Sequence, residues 1–91
     1  MTYKVKRLTR QYNGYGSFKY LIQPTAFNQI TTRQQLAEWR EWCWETWGPS
    51  RELLWAMTET PGVTWAWDTE HDNKRIYLKD DAELVLFQLK F

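Results

Sequence analysis

Apolar and polar positions alternate with a period of two at the start of the chain. Tyr3 and Val5 alternate with Lys4 and Lys6, and Phe18, Tyr20 and Ile22 alternate with Lys19, Leu21 and Gln23. A period of two places successive side chains on opposite faces of a strand. Strands are therefore expected over residues 2–12 and 15–23, paired as a hairpin. Asn13-Gly14 lies between them and favours the positive-φ turn that matches strand twist. The alternation slips near Arg7-Leu8, where a bulge is expected. Pro24 has no N–H to give to a ladder, so it closes the second strand, and residues 24–30 form a connector.

The period then lengthens. Leu36, Trp39, Cys43 and Trp47 fall on one face at helical spacing, with Trp42 and Trp44 flanking that stripe on opposite sides. This predicts a helix from about 32 to 47. Thr31 or Thr32 would cap it, with Gln34 or Gln35 three residues on. Gly48 and then Pro49 would stop it, glycine taking the left-handed cap. Residues 51–57 fit either a short helix or a strand, and the strand is preferred because Pro61-Gly62 and another alternating run follow. Val63, Trp65 and Trp67 alternate with Thr64, Ala66 and Asp68, and Ile76 and Leu78 with Arg75, Tyr77 and Lys79. The polar run 69–73 between them completes a second hairpin. Asp80 with Glu83 opens a short helical turn through Val85. Phe87, Leu89 and Phe91 then alternate as a strand would. A helix to the end is the second reading there, because Ala82, Val85, Leu86 and Leu89 also fit helical spacing.

These elements define an α+β fold over a single domain, residues 1–91. It comprises an antiparallel β-sheet of two hairpins plus a C-terminal strand, one main amphipathic α-helix packed on one face, and a short C-terminal helical turn. Composition strengthens this picture. Seven Trp, five Tyr and four Phe each bring about 150–250 Å² of side-chain surface to a small core, which excludes a disordered chain. No apolar run reaches the roughly 18 residues a membrane-spanning helix needs, and the first residues lack a secretory h-region. One cysteine cannot form an internal disulfide. A soluble, cytoplasmic protein is expected.

Net charge is +1, but residues 1–37 carry six bases and no acid, whereas residues 38–91 carry six bases and all eleven acids. The asymmetry sharpens one candidate function. Lys4, Lys6, Arg7, Arg10 and Lys19 would meet phosphates while Tyr12, Tyr15, Phe18 or Tyr20 stack on bases, the combination used by single-strand nucleic-acid binders. The competing explanation is a hairpin with one buried aromatic face and one solvated basic face. A net charge near zero also sits poorly with strong nucleic-acid binding.

Catalytic chemistry finds little support. Cys43 lies mid-helix on the apolar stripe, with Glu41 and Glu45 near it, whereas a reactive thiol needs an electropositive, partly exposed setting. His71 lies in a hairpin loop among acids. The loop 68–72 spaces carboxylates like a cation site, but Asn73 and Lys79 stand where a calcium loop needs glycine and glutamate. No metal or cofactor is expected. Asn13-Gly14-Tyr15-Gly16 lacks the spacing and the Lys-Ser/Thr pair of a phosphate loop.

The tryptophans point elsewhere. A helix bearing Trp39, Trp42, Trp44 and Trp47 carries aromatics over more than half its circumference. Trp is enriched at interface hot spots, and an exposed apolar patch marks a partner site. Trp39, Trp42 and Trp44, rimmed by Glu38, Glu41 and Glu45, are the candidate contacts, with Trp42 or Trp44 the exposed members. The competing explanation is a core enlarged from both sides. The leading expectation is a non-enzymatic protein-interaction module, binding another protein or a second copy of itself. Single-stranded nucleic-acid binding through the first hairpin is the alternative.

Trp42-Cys43-Trp44-Glu45-Thr46-Trp47-Gly48, and Ile76 to Asp81 with the chain end Leu86 to Phe91, resemble stretches of uncharacterised small accessory proteins of tailed bacteriophages. The resemblance covers about a quarter of the chain and carries no chemical signature. It implies an accessory phage protein acting in the host cytoplasm or in the virion, and it transfers no site residue.

Overall fold

A computed structural model describes residues 3–9, 17–25, 29–52, 63–69 and 74–91. Four strands and two helices follow in the order β1 (Tyr3–Arg7), β2 (Tyr20–Pro24), α1 (Gln29–Trp47), β3 (Trp65–Asp68), β4 (Arg75–Leu78) and α2 (Asp81–Lys90). The strands form one antiparallel sheet in the order β1-β2-β4-β3. Both expected hairpin pairings are present, with Val5 opposite Ile22 and Trp67 opposite Ile76. Pairing of Tyr20 with Leu78 and of Ile22 with Ile76 joins the two hairpins into a single α+β unit. The turns at 13–14, 61–62 and 70–73, and most of the segment 51–57, lie outside the described residues.

The sheet buries side chains on both faces. Ile22, Trp65, Ile76 and Leu78 join Leu36, Trp39 and Cys43 of α1 and Phe87 of α2 in the larger core. Leu21, Ala66 and Tyr77, one residue along in each strand and so on the opposite face, form a second core with Leu8 and Phe18. This corrects the bulge expected at Arg7-Leu8. The β1–β2 register runs unbroken to Arg7, and the Leu8 N–H donates to the Lys19 carbonyl at 2.9 Å. Leu8 is apolar where its strand-mates Lys4 and Lys6 are charged because the second face is buried at that end.

Helix α1 begins at Gln29, earlier than its sequence signals imply. Thr31 and Thr32 lie inside it instead of capping it. Thr32 is buried because it extends the stripe of Leu36, Trp39 and Cys43 by one turn. The expected stop is present: Gly48 has φ +91° and its N–H donates to the Trp44 carbonyl at 2.9 Å. That conformation favours glycine, since a side chain there is strained even with open space around it.

At the C-terminus the first reading gives way to the second. The residues read as a short turn and a closing strand form one ten-residue helix. Asp80, extended at φ −151°, caps it by accepting the Asp81 N–H at 2.8 Å. No glycine or proline follows before Phe91, so nothing stops the helix once it has started. The alternation of Phe87, Leu89 and Phe91 with Gln88 and Lys90 is ambiguous because 87 and 91 are also one helical turn apart.

Candidate functional site

The expected partner surface on α1 divides into three parts. Trp39 is fully buried, which corrects its assignment as a contact. Its ring meets Phe87 edge-on at 5.4 Å, Tyr3 at 5.8 Å and Phe91 at 6.4 Å. Trp42 is half-buried, turned toward α2 and packed on Trp47 at 5.1 Å, Phe91 at 5.5 Å and Phe87 at 5.8 Å. These indoles join α1 to α2. Trp44 alone of the four is exposed, at 48 %. It leans on Trp65 at 6.5 Å and lines an open groove of about 330 Å³ with Ala37, Arg40, Glu41 and Glu45. The Arg40 guanidinium lies 4.3 Å over the Trp67 ring, fixing one wall. Glu38, Glu41 and Glu45 are exposed.

The larger apolar surface is on α2, where the second reading of the C-terminus, a helix to the end, places it and the strand reading does not. Leu89 is 80 % exposed, Val85 54 % and Leu86 46 %, and Ala82 is exposed beside them. At about 100° per residue these four lie together, diametrically opposite the face that buries Phe87 and packs Leu84 on the core. A helix apolar on both sides is usually covered on both sides. The spacing of 82, 85, 86 and 89 is visible in the sequence, but the strand-like alternation of the last residues masks it.

The basic hairpin is absorbed into the fold at one end only. Lys4, Lys6 and Arg7 are exposed on β1, an edge strand, where charge guards against pairing with another sheet. Lys19 instead meets Asp80 at 3.3 Å and Asp81 at 3.5 Å, and Tyr20 donates its hydroxyl to Asp81 at 2.5 Å. Phe18 is buried against Tyr77 and the Tyr20 ring packs on the larger core, so neither aromatic is free to stack on a base. Arg10, Tyr12 and Tyr15 lie outside the described residues. An open cavity of about 570 Å³ lies beside this clamp, lined by Arg7, Lys19, Lys79 and Asp80 with Leu8 and Phe18. The acid-free N-terminal stretch thus meets the acidic C-terminal one at the start of α2.

The clamp sets a pH dependence. The Asp81 N–H and then Lys19 hold the Asp80 carboxyl below its ordinary value of 3.8. Tyr20 first, and Lys19 more weakly, do the same for Asp81. A carboxylate with a depressed folded pKa contributes stability that is fully present above its unfolded pKa. That contribution is lost as pH falls through the depressed value. The start of α2 should therefore loosen below about pH 4. Asparagine caps as well as aspartate does, so Asp80→Asn should keep α2 and flatten part of the acid limb. Thermal melts between about pH 5 and pH 2 would show it. On the alkaline side, hydrogen bonding to Asp80 raises the Lys19 pKa above 10.5. Its contribution is present below that value and fades as pH rises through the raised one.

Cys43 is fully buried, and desolvation pushes its thiol up to about 12. The thiolate is the reactive form, so a disulfide reagent should fail to label the native chain and react fully once denaturant unfolds it. Rapid native labelling would contradict the packing of α1. On β3, Asp68 is buried, accepting from Tyr77 at 3.4 Å and pairing with Arg75 at 3.9 Å. Burial first of all raises the Tyr77 phenol above its ordinary value. No three metal-ligating side chains converge among the described residues, and His71 lies outside them.

The geometry defines a class: a four-stranded antiparallel sheet with two helices on one face, the second helix carrying an uncovered apolar stripe. No family model, curated protein or solved structure matches the chain. No helix among the described residues is long and apolar enough to cross a membrane.

Proposed function

We propose that this chain is a non-enzymatic protein-interaction module whose contact face is the outer side of α2, in keeping with the accessory role implied by the resemblance to small phage proteins. One observation carries the reading: Val85, Leu86 and Leu89 present a continuous apolar stripe to solvent on a helix whose other side already fills the core. Such a stripe costs solubility unless something covers it. Trp44 and its acidic groove lie on the other helix and form a second, smaller contact. The tryptophans of α1 support the reading indirectly, since Trp39 and Trp42 pack on Phe87 and dock α2.

Nucleic acid is the less favoured partner. The exposed bases of β1 remain, but Lys19, Phe18 and Tyr20 are engaged within the fold.

A photoreactive phenylalanine in place of Leu89 tests the proposal, because that side chain is the most exposed of the stripe. In cells, adducts to protein should form from position 89 and not from a control at exposed Gln34. Absence of adducts from position 89, or equal yields from both positions, would sink it.

A further inference from the structure

We infer that the occupant of the α2 face is a second copy of this chain, the two helices pairing antiparallel about a two-fold axis between Val85 and Leu86. This rests on the reading of α2 as the contact face and adds to it the identity of the partner.

The stripe is symmetric. Ala82, Val85, Leu86 and Leu89 are spaced three, one and three apart, so the helix reversed end for end presents the same positions. Antiparallel pairing sets the small Ala82 of one copy against the large Leu89 of the other, and Val85 against Leu86. This is the self-complementarity an isologous interface requires.

Charge agrees. Glu83 and Lys90 lie seven residues apart, two turns on, and so share one flank of the stripe. Antiparallel pairing brings Glu83 of each copy beside Lys90 of the other, twice by symmetry. Parallel pairing would instead bring the Asp81 flank of one copy beside the Glu83 flank of the other, acid against acid. On the other flank Asp81 is held by Tyr20 and Lys19 within its own chain and Gln88 is neutral, so nothing there repels the second copy. The helix dipoles also oppose favourably when antiparallel. A lipid surface fits less well, since membrane-lying helices carry a basic polar face and α2 has one lysine and three acidic neighbours, Asp80, Asp81 and Glu83.

A helix about 15 Å long covers well under the roughly 800 Å² per partner of a standard interface, so the dimer is weak and set by concentration. Sedimentation equilibrium of the full chain at low salt provides the test. The average mass should rise from 11.1 kDa toward twice that value between about 10 μM and about 1 mM chain, the range of small interfaces. Leu89→Glu should hold it at the monomer value with an unchanged circular dichroism spectrum. Lys90→Glu should weaken association by about threefold to tenfold, and Glu83→Lys combined with Lys90→Glu should restore it.

A monomer at every concentration, a dimer indifferent to Leu89→Glu, or a charge exchange that fails to restore pairing would each overturn the inference. If the chain stays monomeric while position 89 still cross-links to a different protein, self-pairing falls and the α2 contact face stands. Without such an adduct, both fall.

Discussion

Trp39→Ala is expected to lower the unfolding free energy by about 3–5 kcal/mol, the range for removing a large buried aromatic. Trp39 has no exposed surface and sits in the larger core beside Leu36 and Cys43. Three other aromatics, Tyr3 of β1 and Phe87 and Phe91 at the end of the chain, meet its ring edge-on. Removing it therefore opens a void where α1, α2 and the sheet edge converge, and rigid neighbours on three sides limit collapse into it. A domain of this kind has about 5–15 kcal/mol in all, so the loss is a third or more of the total. Urea unfolding should show a lower midpoint with little change in slope. Trp39→Phe should cost clearly less. It keeps a ring in the cluster and removes the indole N–H, which is buried with no hydrogen-bond acceptor among the described residues. Equal losses for the two variants would mean that the void is not what matters.

The fold was legible where side-chain period and turn chemistry agreed. Both hairpins, α1 and its Gly48 stop follow from local signals. Asn-Gly and Gly-Pro dipeptides act over a few residues, and the spacing of Leu36, Trp39 and Cys43 admits one face only. The order β1-β2-β4-β3 was not legible, because pairing of β2 with β4 depends on contacts distant in sequence. The two cores were half legible. Leu8, Leu21 and Tyr77 disturbed the alternation, and their burial on the second face shows that they fill a second apolar layer.

The exposed apolar surface lies elsewhere than the indoles of α1 imply, for a specific reason. Counting indoles on α1 takes surplus aromatic coverage as exposure, but aromatics on the flank of a helix are consumed wherever a second helix lies alongside. Trp42 is consumed in that way by Phe87 and Phe91. A strand over 87–91 makes no such demand on α1 and has no outward helical stripe of its own. One local misreading thus moves the apolar surface from one helix to the other. Only Trp44, on the side of α1 facing β3, keeps the exposure expected of it.

Phe87→Ala should detach α2 from the domain as well as weaken it. Phe87 is the one fully buried side chain of that helix, with Leu84 and Phe91 packed beside it on the core. Ten residues are fewer than the roughly 12–15 that an isolated helix needs to persist in water, so α2 owes its helicity to this docking. Truncation should cost about 3–5 kcal/mol if the sheet and α1 unfold with it. It should cost less global stability, with local melting, if they hold. Hydrogen exchange separates the two. Amides of residues 85–91 should become unprotected while those of Ile22 and Ile76 in the central strands stay protected. The Asp80 cap and the Tyr20–Asp81 bond anchor only the first turn, so protection surviving beyond it would show that Phe87 is not the anchor. The same variant bears on the proposed contact face, since a melted α2 cannot present Val85, Leu86 and Leu89 as one stripe. Cross-linking from position 89 should therefore disappear with Phe87→Ala although no residue of the outer face has changed. Disappearance of the adducts in step with helicity would show that the core-facing side of α2 exists to hold its outer side in shape.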